Sequence, residues 1–93
     1  MAEETYPLVQ REGRWWLPYG LEVDAEQLAG LWLADCQVVF LGPEGGSFAY
    51  QVTDEGEEQI RLDYGAWHPM EAVALAPWHA DVFRLVREAL DCM

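Results

Sequence analysis

A chain of 93 residues is long enough for one domain with a core, and 52% hydrophobic residues with five Trp argue against disorder. Seventeen Asp and Glu against five Arg and no Lys give a formal net charge of −12, which disfavours direct binding to nucleic acid and to anionic membranes, because both need cationic side chains. We therefore expect a single globular domain over residues 1–93, with residues 1–5 flexible.

The first predicted element is a β-hairpin. Apolar stretches flank Glu12 and Gly13, and a two-residue loop with Gly second is a strong hairpin signal, so strands are expected near residues 6–11 and 14–19. Side chains alternate between the two faces of a strand. The second strand therefore presents two sets of side chains: Trp15, Leu17 and Tyr19 on one face, and Trp16 and Pro18 on the other. Either the sheet is covered on both sides, or one Trp is left for a partner.

A helix is predicted next, over residues 25–35. Asp24 precedes it and Gln27 follows three residues later, which is the spacing of a capping box. Its inward stripe is predicted to be Leu28, Leu31 and Trp32. Gly30 costs such a helix about 1 kcal/mol relative to Ala, unless the missing side chain allows a close packing contact.

Three β-rich runs then follow, separated by two turn-forming segments. The strands are expected in CQVVFLG (36–42), SFAYQVT (47–53) and QIRLDY (59–64), and the turns in PEGG (43–46) and DEGEE (54–58). In the second run Phe48, Tyr50 and Val52 alternate with Ala49, Gln51 and Thr53. In the third run Ile60, Leu62 and Tyr64 are predicted inward, and Gln59, Arg61 and Asp63 outward. The three strands are expected to form an antiparallel meander.

The clearest predicted element is a C-terminal helix in residues 78–93, with Pro77 suited to its first turn. Its inward face is predicted to be Trp78, Val82, Leu85, Val86, Ala89 and Leu90. The segment before it, MEAVALA (70–76), fits either a short strand or an Ala-rich helical turn, and we favour the strand. The prediction is thus an α+β fold in the order ββαβββ(β)α, with an antiparallel sheet of five or six strands and two helices.

No residue pattern indicates a metal site, a cofactor or a catalytic residue. His68, His79, Cys36 and Cys92 are the possible zinc ligands, but no two of them stand at zinc-ligand spacing. Ser47, the only Ser, lies in GPEGGS, which lacks the G-K-[ST] ending of a phosphate loop and is better explained as a hairpin turn. The cysteines stand far apart, and we see neither an export signal nor a membrane-length apolar run. We therefore expect a reduced, cytoplasmic protein.

The pair Trp-His occurs twice, at residues 67–68 and 78–79, each time beside a proline. His68 precedes Pro69 and is expected in extended chain. His79 is expected in the first turn of the last helix, where the helix dipole favours a neutral imidazole. If residues 70–76 form one strand, the two histidines lie about 20 Å apart, and if the segment folds back they can meet. Two separate corners explain the repeat better than one site.

The aromatic residues give the strongest indication of function. Trp and Tyr are typical of interface hot spots, and the candidate partner-binding residues are Trp15, Trp16, Tyr19, Trp67 and His68. The sequence favours a small acidic protein-interaction or regulatory module without enzymatic activity. Its expected partner is another protein, which a basic surface would suit, or a second copy in a homodimer. The alternative is a small-molecule-binding or catalytic domain with a Trp- and His-lined pocket between helices and sheet. Solubility, a GC-rich genome, or adaptation to salt or heat would also explain the acidity.

Overall fold

The computed structural model describes residues 5–43 and 45–93, so the expectations for residues 1–4 and for Glu44 lie outside the described residues. The six strands are β1 Thr5–Arg11, β2 Arg14–Trp16, β3 Gln37–Leu41, β4 Ser47–Val52, β5 Glu58–Leu62 and β6 Trp67–Pro69. The two helices are α1 Ala25–Leu33 and α2 His79–Asp91, and a short 3-10 turn spans Met70–Ala72. The strands form one sheet in the order β2-β1-β3-β4-β5-β6, which confirms the predicted α+β fold. Neither helix has the length and apolar character needed to cross a membrane within the described ranges.

One pair of strands departs from the predicted antiparallel sheet. β1 and β3 run parallel, with Leu8 opposite Phe40, whereas the other neighbouring strands are antiparallel. Parallel neighbours need a long crossover, and the connection that contains α1 provides it. As a result β1 lies inside the sheet, and β2 occupies one edge.

The local signals in the first third of the chain produce the predicted structures. Glu12 and Gly13 both have positive φ, 55° and 77°, as the tight turn of a twisted hairpin requires. Asp24 accepts a hydrogen bond from the Gln27 backbone N–H, and the Gln27 side chain accepts one from the Asp24 backbone N–H. The predicted capping box is therefore confirmed, and it fixes where α1 begins.

The core lies between the helices and one face of the sheet. Leu28 of α1 and Val82, Val86 and Ala89 of α2 are buried, as their spacing predicted. The sheet contributes alternate side chains, namely Leu8, Trp15, Val38, Phe40, Phe48, Tyr50 and Ile60. Leu31, Trp32, Trp78, Leu85 and Leu90 are partly buried against this cluster. Both helices therefore cover the same side of the sheet.

Two predicted strands end earlier than expected. β2 stops at Trp16 because the chain turns at residues 17–20, where Gly20 donates to the Leu17 carbonyl, so Tyr19 lies outside the strand and is 74% exposed. β5 stops at Leu62, and Tyr64, predicted inward, lies in the following turn and is 60% exposed.

The preferred strand in residues 70–76 is wrong. The strand of this region is β6, Trp67–Pro69, three residues earlier, and a 3-10 turn follows it at once. The chain reverses immediately after Leu62, since Gly65 donates to the Leu62 carbonyl, so pairing with β5 resumes already at Trp67. α2 begins at His79, and Pro77 precedes it by two residues instead of lying in its first turn.

Candidate functional site

The side of the sheet opposite the helices is left without a covering helix in residues 5–43 and 45–93. We call this side the open face. Strand alternation and register place on it Thr5, Pro7, Val9, Arg11, Arg14, Trp16, Gln37, Val39, Leu41, Ser47, Ala49, Gln51, Gln59, Arg61, Trp67 and Pro69. Most of these side chains are half-buried, and Val39 and Ala49 are only 4% and 5% exposed. The open face is thus a mostly half-buried surface of apolar, glutamine and arginine side chains, with a Trp on each edge strand.

The open face differs in charge from the rest of the molecule. Its strand positions include no Asp or Glu, although the whole chain carries seventeen. They do include three of the five arginines: Arg11 and Arg14 at the β1–β2 turn, and Arg61 near the centre of β5. At the β2 edge one acidic residue borders this face, since Glu22 pairs with Trp16 in an isolated bridge and its carboxylate lies 3.4 Å from Arg14. The acidic surface therefore lies around and behind this face.

Arg61 is the central charged group of the open face. It lies opposite Ala49 on one side and Trp67 on the other, and its guanidinium carbon is 5.8 Å from the centre of the Trp67 ring. Nη2 donates to the Tyr64 carbonyl oxygen at 3.3 Å. Nε is buried and has no hydrogen-bond partner, and no carboxylate of the described chain is within ion-pair distance of Arg61. A half-buried guanidinium without a counter-charge is unusual in so acidic a protein.

A strained turn after β5 holds the Arg61 side chain. Asp63 and Tyr64 both adopt left-handed backbone, with φ of 53° and 59°, which non-glycine residues seldom do. The Asp63 carboxylate accepts a hydrogen bond from the Ser47 backbone N–H at 3.1 Å, and the Asp63 N–H donates to the Ser47 carbonyl. These bonds fix the turn against β4, and the turn directs the Tyr64 carbonyl toward Arg61.

The sheet contains a cleft between β3 and β4. The two strands pair only at Phe40 with Phe48 and at Leu41 with Ser47, and no further β3–β4 pair follows toward Gln37. A cleft of about 600 Å³, open to solvent, lies where they separate. It is lined by Trp32, Asp35, Cys36, Gln37, Val38, Ala49, Tyr50, Gln51, Val52, Arg61, Trp67, Leu90 and Met93. The cleft therefore reaches from the open face to the ends of both helices.

Tyr50 is the second unusual polar residue of the cleft wall. Its side chain is 7% exposed, and its ring centre is 5.8 Å from that of Trp32. Its hydroxyl oxygen is buried and makes no well-formed hydrogen bond in the described part of the chain, although the Glu58 carboxylate interacts with it as an acceptor. Burial raises the pKa of Tyr50 to about 12, and the negative charge of nearby Glu58 acts in the same direction. The phenol is therefore neutral at physiological pH.

The two histidines occupy different environments. His79 is 4% exposed, its ring contacts those of Phe48 and Trp78, and its Nδ1 accepts a hydrogen bond from the Ala76 N–H at 2.9 Å. Burial lowers its pKa, and Asp63 opposes this shift only in part, so the predicted neutral imidazole is confirmed. His68 is exposed on β6 opposite Ile60. The described residues contain no group of His, Cys, Asp or Glu that could hold a metal ion.

The candidate partner-binding residues are divided among four places. Trp16 and Trp67 are half-buried on the open face. Trp15 is only 4% exposed and packs edge-on against Phe40 in the core, so it offers no surface to a partner here. Tyr19 is exposed in the loop after β2, and His68 shares the helix side of the sheet with Ile60.

The sequence interpretation missed Arg61 as a candidate. Alternation placed it correctly on the outward side of its strand, but a single strand does not show that the outward positions of the other strands also lack Asp and Glu. Listing the outward residues of all predicted strands together would have shown that lack and pointed to Arg61.

No protein-family model, no curated protein and no solved structure matches this chain. The chemistry of the open face and of the cleft is therefore the guide to what the protein binds.

Proposed function

We propose that this protein is a small, non-enzymatic protein-interaction module and that its partner binds the open face. The observation that carries this proposal is the absence of Asp and Glu from the strand positions of that face in a chain of net charge −12. Acidic side chains elsewhere keep the rest of the protein surface hydrated, whereas the open face combines apolar and aromatic side chains with arginine. Depletion of acidic residues and enrichment in Trp and Arg are typical of interface cores.

Trp16, Trp67 and Arg61 are the proposed anchors. The two Trp rings lie on opposite edge strands, so together they span the sheet. Each is already half-buried and held in place, Trp16 through a hydrogen bond from its indole N–H to the Arg11 carbonyl at 3.1 Å and Trp67 through its contact with Arg61. Side chains that are held in place before binding lose little conformational entropy when a partner covers them.

The charge distribution favours a different protein over a second copy. In a two-fold dimer the same patch faces itself, so each Arg61 would meet a face with no strand carboxylate. Glu22, which borders the face at β2, is already paired with Arg14, so both Arg61 guanidinium groups would lose water without gaining a free counter-charge, which is costly. A partner that presents a carboxylate opposite Arg61, and basic residues toward the acidic surroundings, satisfies both charges.

The test uses one substitution at two positions. Leu41→Glu places a carboxylate on the open face, and Leu33→Glu places the same group on α1, where Leu33 is already 67% exposed. Wild type and both variants are first shown to be folded by circular dichroism and thermal melting. Each is then immobilised and used to capture proteins from a lysate at low and high salt, and the captured protein is purified and titrated by calorimetry.

The proposal expects one protein to bind wild type and Leu33→Glu, and to be lost with Leu41→Glu. Because the acidic surroundings contribute through charge, this binding should weaken as salt rises. Equal capture by the two variants would place the contact elsewhere. A wild-type dimer in light scattering that Leu41→Glu converts to a monomer would instead make the open face a self-association surface and overturn the choice of partner.

A further inference from the structure

The cleft between β3 and β4 combines features that the fold itself does not use. Strands β3 and β4 separate after two residue pairs in the middle of a sheet whose other neighbours pair over three to five positions. Closing the cleft would gain additional backbone hydrogen bonds, so keeping it open has a cost in stability. Arg61 Nε, a buried polar atom without a hydrogen-bond partner in the described chain, belongs to a residue of its wall.

The walls of the cleft are aromatic on two sides. Trp32 approaches from α1 and is in ring contact with Tyr50, while Trp67 borders the cleft from β6 and contacts Arg61. A volume of about 600 Å³ is within the range of small-molecule sites and leaves room for one ring system. The rings of Trp32 and Trp67 stand among polar groups of the wall, and rings stack on rings at little entropic cost, so this lining suits an aromatic ligand that also carries a polar group.

Arg61 determines the charge of the ligand. It is the only cationic side chain in the described wall of the cleft, and one edge of its guanidinium is held by the Tyr64 carbonyl. A single Arg matches a planar carboxylate through two parallel hydrogen bonds, whereas phosphate sites usually gather several donors. Asp35 and the glutamines of the wall add no further positive charge.

We propose that the cleft binds a compact aromatic carboxylate, with its ring between Trp32 and Trp67 and its carboxylate on Arg61. This site overlaps the proposed partner surface only in part. Trp32 lines the cleft from the helix side of the sheet, whereas Trp16, a proposed partner anchor, does not line it. Arg61 and Trp67 belong to both, so a bound ligand and a docked partner would compete.

The net charge of the chain helps to distinguish specific from non-specific binding. A chain of −12 repels anions and attracts cations at long range, so non-specific binding would favour an amine over an acid. The probes are three compounds of one shape, 3-phenylpropionate, its neutral amide and the corresponding amine. Each is titrated into the protein at about 150 mM salt, where long-range attraction is screened beyond about 8 Å. Binding is followed by NMR through the indole N–H signals of the five Trp.

We expect the acid to shift the signals of Trp32 and Trp67 in a saturable way, with that of Trp15 unmoved. The amide and the amine should bind at least about tenfold more weakly. Arg61→Gln should remove the preference for the acid, while Arg84→Gln, the same charge change at an exposed position of α2, should keep it. Trp32→Phe should weaken the acid and leave partner capture intact, which separates this site from the partner surface. Equal affinity for acid and amide, or for wild type and Arg61→Gln, would overturn the proposal.

Discussion

The substitution Gly30→Ala adds one carbon atom and tests whether Gly30 in α1 makes a close packing contact. Gly30 lies inside α1, in ordinary helical backbone, and a Cβ built on it meets no atom within 4 Å. Replacing Gly with Ala in a helix gains about 1 kcal/mol of helix propensity, chiefly because the unfolded chain loses freedom. Since no neighbour has to move, we expect Gly30→Ala to raise the free energy of unfolding by about 0.5–1 kcal/mol.

Thermal and urea unfolding, followed by circular dichroism, measure this gain. For a domain of this size, 1 kcal/mol corresponds to a rise in melting temperature of about 4–8 °C. The denaturant slope should stay unchanged, because the surface exposed on unfolding is the same. A melting temperature equal to or below that of wild type would show that position 30 is covered by something, and would refute the reasoning.

Three further predictions concern positions where the structure gives the sign of the effect. Gly42→Ala should lose about 1–3 kcal/mol, measured by urea unfolding, because its Cβ would lie 2.6 Å from the Trp78 ring and force that ring to move. Asp24→Ala should lose about 1 kcal/mol in the same assay, since it removes the side chain that accepts the Gln27 N–H, and a loss below about 0.3 kcal/mol would show the cap to be unimportant. Burial lowers the pKa of His79 below 6.5, so the unfolded chain binds this proton more readily and stability falls as the pH drops through about 6.5. The stability difference between wild type and His79→Asn should therefore shrink from about pH 7.5 to about pH 5.5, and a difference independent of pH would contradict the lowered pKa.

Signals that act over a few residues were predictable from the sequence. The turn at Glu12 and Gly13 depends on the backbone of two residues, and the cap of α1 depends on Asp24 and Gln27, which are three apart. The alternation in β5 was equally readable, because Ile60 is buried on the side that the pattern gave it. In these cases the sequence and the contact are local, so no knowledge of the remaining chain is needed.

Features that depend on distant pairing were not predictable. Nothing in β1 or β3 alone shows that Leu8 will lie opposite Phe40 in a parallel pair across an intervening hairpin and helix. The separation of β3 from β4 is likewise a property of two strands and the helices behind them. The error in residues 70–76 has a similar origin, since the tight turn at Asp63 and Tyr64 uses left-handed backbone at residues that seldom adopt it, and the strand that follows starts earlier as a consequence.

The distribution of charge limits how the acidity can be explained. Of all residues in the six strands, only Glu58 is acidic, and it lies on the helix side, opposite Val52. Strands disfavour Asp and Glu in general, so part of this depletion reflects strand preference. The open face nevertheless contains Gln37, Gln51 and Gln59, side chains of the same shape as Glu, in a chain that elsewhere uses Glu freely. If genome composition or a general need for solubility caused the acidity, Glu would be expected at these three positions of the open face as often as elsewhere. Their neutrality supports the proposed partner contact at the open face, which a negative charge there would oppose.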